Sequence, residues 1–184
     1  MNGNDLLDLE ELANSFQTKN ISSSPSKFDM DQLLFWQKKA VEKLTIEDFS
    51  NWLNDSLTNL PTEIDKKGFI ELIKENINFP IEAEEYLHKL FLNPLVDEKE
   101  IAQIISSAGK EFYLAAYDVI SLGISDWNEC VKKIGNQSGK KGRELFMPLR
   151  VAITGQTKGP ELDKVAELIG SERILKRIKE ASEL

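Results

Sequence analysis

Arginine is absent from the first 142 residues of this 184-residue chain; all four arginines, Arg143, Arg150, Arg173 and Arg177, fall in its last quarter. Cysteine and histidine are scarcer still, each occurring once, as Cys130 and His88. A single cysteine excludes a disulfide framework and any multi-cysteine metal site, and its reduced state fits the cytoplasm. It is read as a small buried apolar residue. His88 has no acid and nucleophile beside it in the sequence, so it is read as structural or exposed rather than catalytic. No apolar run reaches the length of a membrane helix, and no leader pattern follows Met1. Nor does any stretch alternate with a period of two for long enough to argue a sheet. What remains is an all-α chain, expected to be soluble, cytoplasmic and monomeric.

Charge is divided unevenly. Residues 1–131 carry 11 Lys/Arg against 24 Asp/Glu, whereas residues 132–184 carry 12 against 7, so an overall charge of −8 hides a basic C-terminal part. Within 132–158 seven cations face Glu144 alone, which is the electrostatic footprint of a phosphate-binding surface. The same cations could be a solvated helix face. The acidic N-terminal part would repel nucleic acid and could instead meet a protein, so an acidic, all-helical protein-interaction module that does not bind RNA is the alternative.

Periodicity and stop signals predict the helices. A first short helix covers 6–16, and Asp29 with Gln32 three residues on reads as the cap of a second that runs to about Val41. A third starts at Thr45 with Phe49, Trp52, Leu53 and Leu57 on one stripe, a fourth covers 65–76, and a shorter one follows Pro80. One or two helices fill 97–122, broken at Gly109. Ser125 is expected to cap a helix holding Trp127, Val131 and Ile134, and Gly170 to split the C-terminal stretch into helices over 161–169 and 171–181. Trp36 and Trp52 lie on apolar stripes and are expected in the core.

The most informative stretch is Lys140 to Leu162, K-K-G-R-E-L-F-M-P-L-R-V-A-I-T-G-Q-T-K-G-P-E-L. Leu145, Phe146, Leu149, Val151, Ala152 and Ile153 can bury, which leaves Arg143 and Arg150 two turns apart on one helix face. A polar loop follows from Thr154, and Pro160 is suited to the first turn of the next helix. Gly155 and Gly159 make that loop slender enough for a base to approach its backbone.

This stretch resembles the anticodon-binding region of bacterial glutamyl-tRNA synthetases, whose signature is close to K-G-K-x-L-F-M-P-L-R-x-A-L-T-G-x-x-x-G-P-x-L and aligns here without a gap. A looser likeness, around Ser22-Ser23-Ser24-Pro25-Ser26-Lys27-Phe28-Asp29, is to the family element that contacts the inner corner of tRNA. The resemblance covers about residues 8–182 and is strongest over 139–178. It implies a stem-contact-like helical element over 1–60, then two consecutive helical bundles that form an anticodon-binding cage, over 61–125 and 126–184.

By the same resemblance Arg150 reads the first anticodon letter, while Gly159, Pro160 and Leu162 approach the second and third. Lys140, Lys141, Arg143 and Lys158 hold phosphates. In some family members an arginine of the middle helical unit contacts the third letter; here Lys74, Asn76 and Asn78 are the nearest polar substitutes, which implies relaxed reading at that letter. The implied partner is glutamate tRNA, with glutamine tRNA left open, and neither DNA nor a membrane. Class I synthetases activate the amino acid with ATP and magnesium through an H-x-G-H-type motif and a K-M-S-K-S-type loop, and neither occurs here. The resemblance is therefore to the tRNA-contacting half of such an enzyme, with no catalytic residue and no cofactor of its own.

Overall fold

Side-chain caps set where half of the α-helices begin. In α1 (Leu9–Ser15) Asp8 and Glu11 cap each other's backbone N–H groups at 2.9 and 2.8 Å. Asp29 accepts from the Gln32 N–H at 3.1 Å to start α2 (Met30–Lys43), and Thr45 Oγ1 accepts from Asp48 at 3.0 Å to start α3 (Ile46–Leu53). Asp65 caps α4 (Lys66–Ile73). Proline opens α5 (Pro80–Leu87), which passes into a wider π-type turn over His88–Leu92. The computed structural model describes residues 6–21, 23–25, 27–58, 60–92, 99–123 and 126–184.

Gly109, with φ 81°, separates α6 (Lys99–Ala108) from α7 (Lys110–Ser121). The start expected at 97 lies outside the described residues, as do Ser22 and Ser26 of the N-terminal likeness. Ser125, expected to cap α8 (Trp127–Ser138), also lies outside them, and the cap is Asp126, accepting from the Glu129 N–H at 2.9 Å. The next helix, α9 (Arg143–Thr154), runs through Pro148, and α10 (Leu162–Ser182) is two helices joined at Gly170 with φ 79° and ψ 159°. Glu161 takes the cap position of α10, so Pro160 stands before the helix and not in its first turn. The remaining short elements are 3₁₀ turns at Thr18–Asn20 and Asn54–Leu57. Among the described residues there is no strand, and no helix is long and apolar enough to cross a membrane.

One apolar core runs from Val41 in α2 to Ala181 in α10. The α7 helix packs along α10 and α8, and α9 lies between α6 and α10, while α4 leans on the first half of α10. Cys130 is buried as expected. Trp52 packs against the core beside Phe49, ring centroids 5.7 Å apart. Trp36 does not join the core; it is half-buried and meets the exposed Phe35 edge-on at 5.3 Å. The N-terminal segment differs from the rest, because α1 buries none of its residues and Leu9, Phe16, Ile21 and Phe28 are all exposed.

Candidate nucleic-acid interface

The loop between α9 and α10 is held by partly buried hydrogen bonds. Thr154, at the end of α9, gives its hydroxyl to the Arg150 carbonyl at 2.7 Å and accepts the Gln156 N–H at 3.1 Å. Gly155 then ends the helix in the left-handed conformation, its N–H donating to the Val151 carbonyl at 2.8 Å. Beneath this turn lies Arg177, only 2% exposed, whose guanidinium donates to the backbone carbonyls of Ile153, Lys89 and Leu90. Burial, and next the charge of Arg173, lowers its pKa to about 10. Three carbonyl acceptors compensate a cation that has been taken out of water, and they pin α9, α10 and the π-type turn together.

Arg150 is half-buried and fixed in direction. Its Nη1 donates to the Pro160 carbonyl at 2.9 Å across the loop. A guanidinium has five N–H donors, so one such bond orients the group and leaves others available. Pro160 and Leu162 are themselves buried. Their side chains are therefore part of the loop's footing, and what this part of the loop offers outward is backbone. At Gly159 φ is 141°, and a Cβ there would lie 3.2 Å from Tyr86 Oη and 3.3 Å from Gln156 Oε1. Only glycine keeps that conformation and that space.

At the other end of α9 the cations are less constrained. Lys141 and Arg143 are exposed and form no ion pair among the described residues. Lys140 is half-buried, with its ammonium 5.4 Å from the centre of the Phe112 ring of α7. Lys158 is exposed at the loop, beside a recess lined by Lys89, Glu100, Ile101 and the residues of the turn. The expected phosphate-binding residues thus divide into Lys158 at the loop and Lys140, Lys141 and Arg143 about 10 Å or more away along the helix.

Phe146 departs from expectation. It is 51% exposed instead of buried. Spaced three residues after Arg143 and four before Arg150, it falls on the same helical face, so an open aromatic ring stands between two arginines. That combination of π-face and cations suits a stacked base or a sugar–phosphate chain.

Of the three residues considered for the third letter, Lys74 and Asn76 use their side chains, and Asn78 its backbone, in hydrogen bonds within the fold. Lys74 gives its ammonium to the Glu42 carbonyl at 2.7 Å, and the Asn76 side chain bonds the Leu72 carbonyl at 3.2 Å. The backbone of Asn78 is held from both sides, its N–H by Glu82 and its carbonyl by the Gln37 amide at 3.0 Å. No hydrogen bond among the described residues joins any of them to the Arg150 loop. Tyr86, which the sequence presents as one more core aromatic, is a residue of this middle unit that reaches the loop. Arg177 carried a readable sign, since it falls on the apolar stripe of Ile174, Ile178 and Ala181.

Helices that close on a slender loop flanked by arginines and an open ring define an all-helical module with a basic, aromatic rim. The chain belongs to the anticodon binding domain family, which it matches over residues 44–182. It is 34% identical over 179 residues to glutamate–tRNA ligase 1 of Halorhodospira halophila and 33% identical over 176 residues to glutamate–tRNA ligase 1 of Methylococcus capsulatus. Those matches cover 97% and 96% of this chain but 37% and 38% of the relatives. The chain thus spans little more than a third of their length. The same fold occurs in the crystal structure of a glutamate tRNA ligase from Elizabethkingia meningosepticum in complex with its amino acid, with a TM-score of 0.76 at 18% identity, over 96% of this chain and 37% of that one.

Proposed function

We propose that this chain is the tRNA-binding part of a glutamate–tRNA ligase, recognising the anticodon loop of glutamate tRNA in the cytoplasm as a monomer. A class I catalytic domain, in the portion of such enzymes that this chain does not span, then joins glutamate to the tRNA with ATP and magnesium. The observation that carries the reading is Arg150, whose guanidinium is aimed across the α9–α10 loop by the Pro160 carbonyl. RNA is read in sequence chiefly where its bases are unstacked and their edges and faces are open, as in an anticodon loop. Arg150 reads the first letter through its remaining donors, and the backbone at Gly159 and Pro160, seated on Leu162, meets the second and third. Phe146 offers a face for stacking. Lys140, Lys141, Arg143 and Lys158 neutralise phosphates, which sets register without reading sequence.

A titration of the chain with glutamate tRNA, a transcript altered only in the anticodon and an unrelated tRNA tests this. The expected order is tight, weaker and weakest, with all three weakening as salt rises. Equal binding of the first two would contradict anticodon reading. Absent or salt-insensitive binding would favour a protein-interaction module using the acidic N-terminal faces.

A further inference from the structure

Tyr86 sits on α5 and is 9% exposed. Its hydroxyl makes no hydrogen bond among the described residues and, unlike that of Tyr113, is not sealed from solvent. It is aimed at the loop. The position that a Cβ would take at Gly159 is 3.2 Å from Oη, and Gln156 Oε1 closes the same space at 3.3 Å. An unpaired donor, an amide oxygen and a side-chain-free stretch of backbone therefore converge beside Arg150. This rim has a hydrogen-bond vacancy of its own, distinct from the one that Arg150 fills.

We infer that Tyr86 is a specificity-determining residue, whose hydroxyl donates a hydrogen bond to the anticodon base that lies over Gly159. The inference rests on the anticodon-reading role proposed above and deepens it. At neutral pH the phenol keeps its proton: burial, then the nearby carboxylates of Glu82 and Glu85, raise its pKa, while Arg150 opposes them. Tyr86 can therefore donate to a carbonyl or ring nitrogen of a base. A base without an acceptor there would leave a buried donor unpaired, and it is this loss that produces discrimination.

The test is a Tyr86→Phe variant of this chain, titrated against glutamate tRNA and against transcripts altered singly at the second and at the third anticodon letter. Phenylalanine keeps the ring and its packing, so an unchanged unfolding midpoint confirms that the fold is retained. The expected result is a loss of about 3- to 10-fold on glutamate tRNA, the range for one neutral hydrogen bond. That loss disappears with one altered transcript, the one changed at the letter over Gly159, and persists with the other. Unchanged affinity for glutamate tRNA, or an equal loss on all three transcripts, would overturn the inference while leaving anticodon reading intact. If the unaltered chain binds all three transcripts equally, anticodon reading itself has failed, and the role of Tyr86 with it.

Discussion

The two ends of α9 carry cations of the same kind in opposite conditions. At the loop end Arg150 is half-buried and tied to the Pro160 carbonyl, over a turn that the buried Arg177 fastens to two other segments. At the far end Lys141 and Arg143 stand exposed. Reading a base demands a donor held in one direction, because discrimination depends on what is left unpaired when the wrong base arrives. Holding a phosphate demands only charge nearby, which a mobile side chain supplies as well. The buried polar groups differ as well: the Tyr113 hydroxyl of α7 has no partner among the described residues, whereas the side chains of Thr154 and Arg177 under the loop are bonded.

The comparison breaks most severely if the fastening under the loop is removed. Arg177→Ala strands the carbonyls of Ile153, Lys89 and Leu90 and opens a cavity, so a loss of ~3 kcal/mol is expected in urea unfolding. Anticodon discrimination should fall with it, and an unchanged midpoint would show that the loop does not depend on this arginine. A smaller effect is expected at the loop itself. Gly159→Ala places a methyl group against Tyr86 Oη and Gln156 Oε1 at a positive φ, costing ~1–2 kcal/mol. Circular dichroism melting measures this directly, and a variant as stable as the parent would mean that the loop repacks freely.

The smallest effect has the opposite sign and sharpens the contrast. Tyr113→Phe, in α7, removes an unpaired buried hydroxyl and should stabilise by ~1 kcal/mol at neutral pH. Burial raises the Tyr113 pKa above that of the unfolded chain. Stability is therefore unaffected by its titration below about pH 10 and falls as pH rises towards the folded value. The phenylalanine variant should lack this share of alkaline sensitivity. Parallel stability–pH curves for the two proteins would contradict the assignment.

Most of the helical architecture was legible in sequence, because caps and breaks are local. Asp29, Gly109 and Gly170 each act where expected. The cap of α8 was missed by one residue, since Ser125 and Asp126 are both good capping residues and only the backbone geometry selects between them. Pairing across the chain was not legible. Nothing in the periodicity of α5 distinguishes Tyr86 from its core neighbours, and its meeting with Gly159 is set by how α5 and the loop pack. Phe146 was misplaced for a related reason: an apolar residue in an apolar run reads as buried, although here it is left half exposed. Nor was the hydrogen bond of Lys74 to the Glu42 carbonyl of α2 legible, for the same reason.

The most direct test compares one cation from each end of α9, as Arg150→Ala and Lys141→Ala, on glutamate tRNA and on a transcript altered at the first anticodon letter. Arg150→Ala should cost ~1–3 kcal/mol on glutamate tRNA and little on the altered transcript, so that discrimination flattens. Lys141→Ala should weaken both transcripts by the same smaller amount and reduce the salt slope by about one. Two variants that lose affinity in the same pattern, whether both letter-dependent or both not, would contradict the division of α9 into a reading end and an anchoring end.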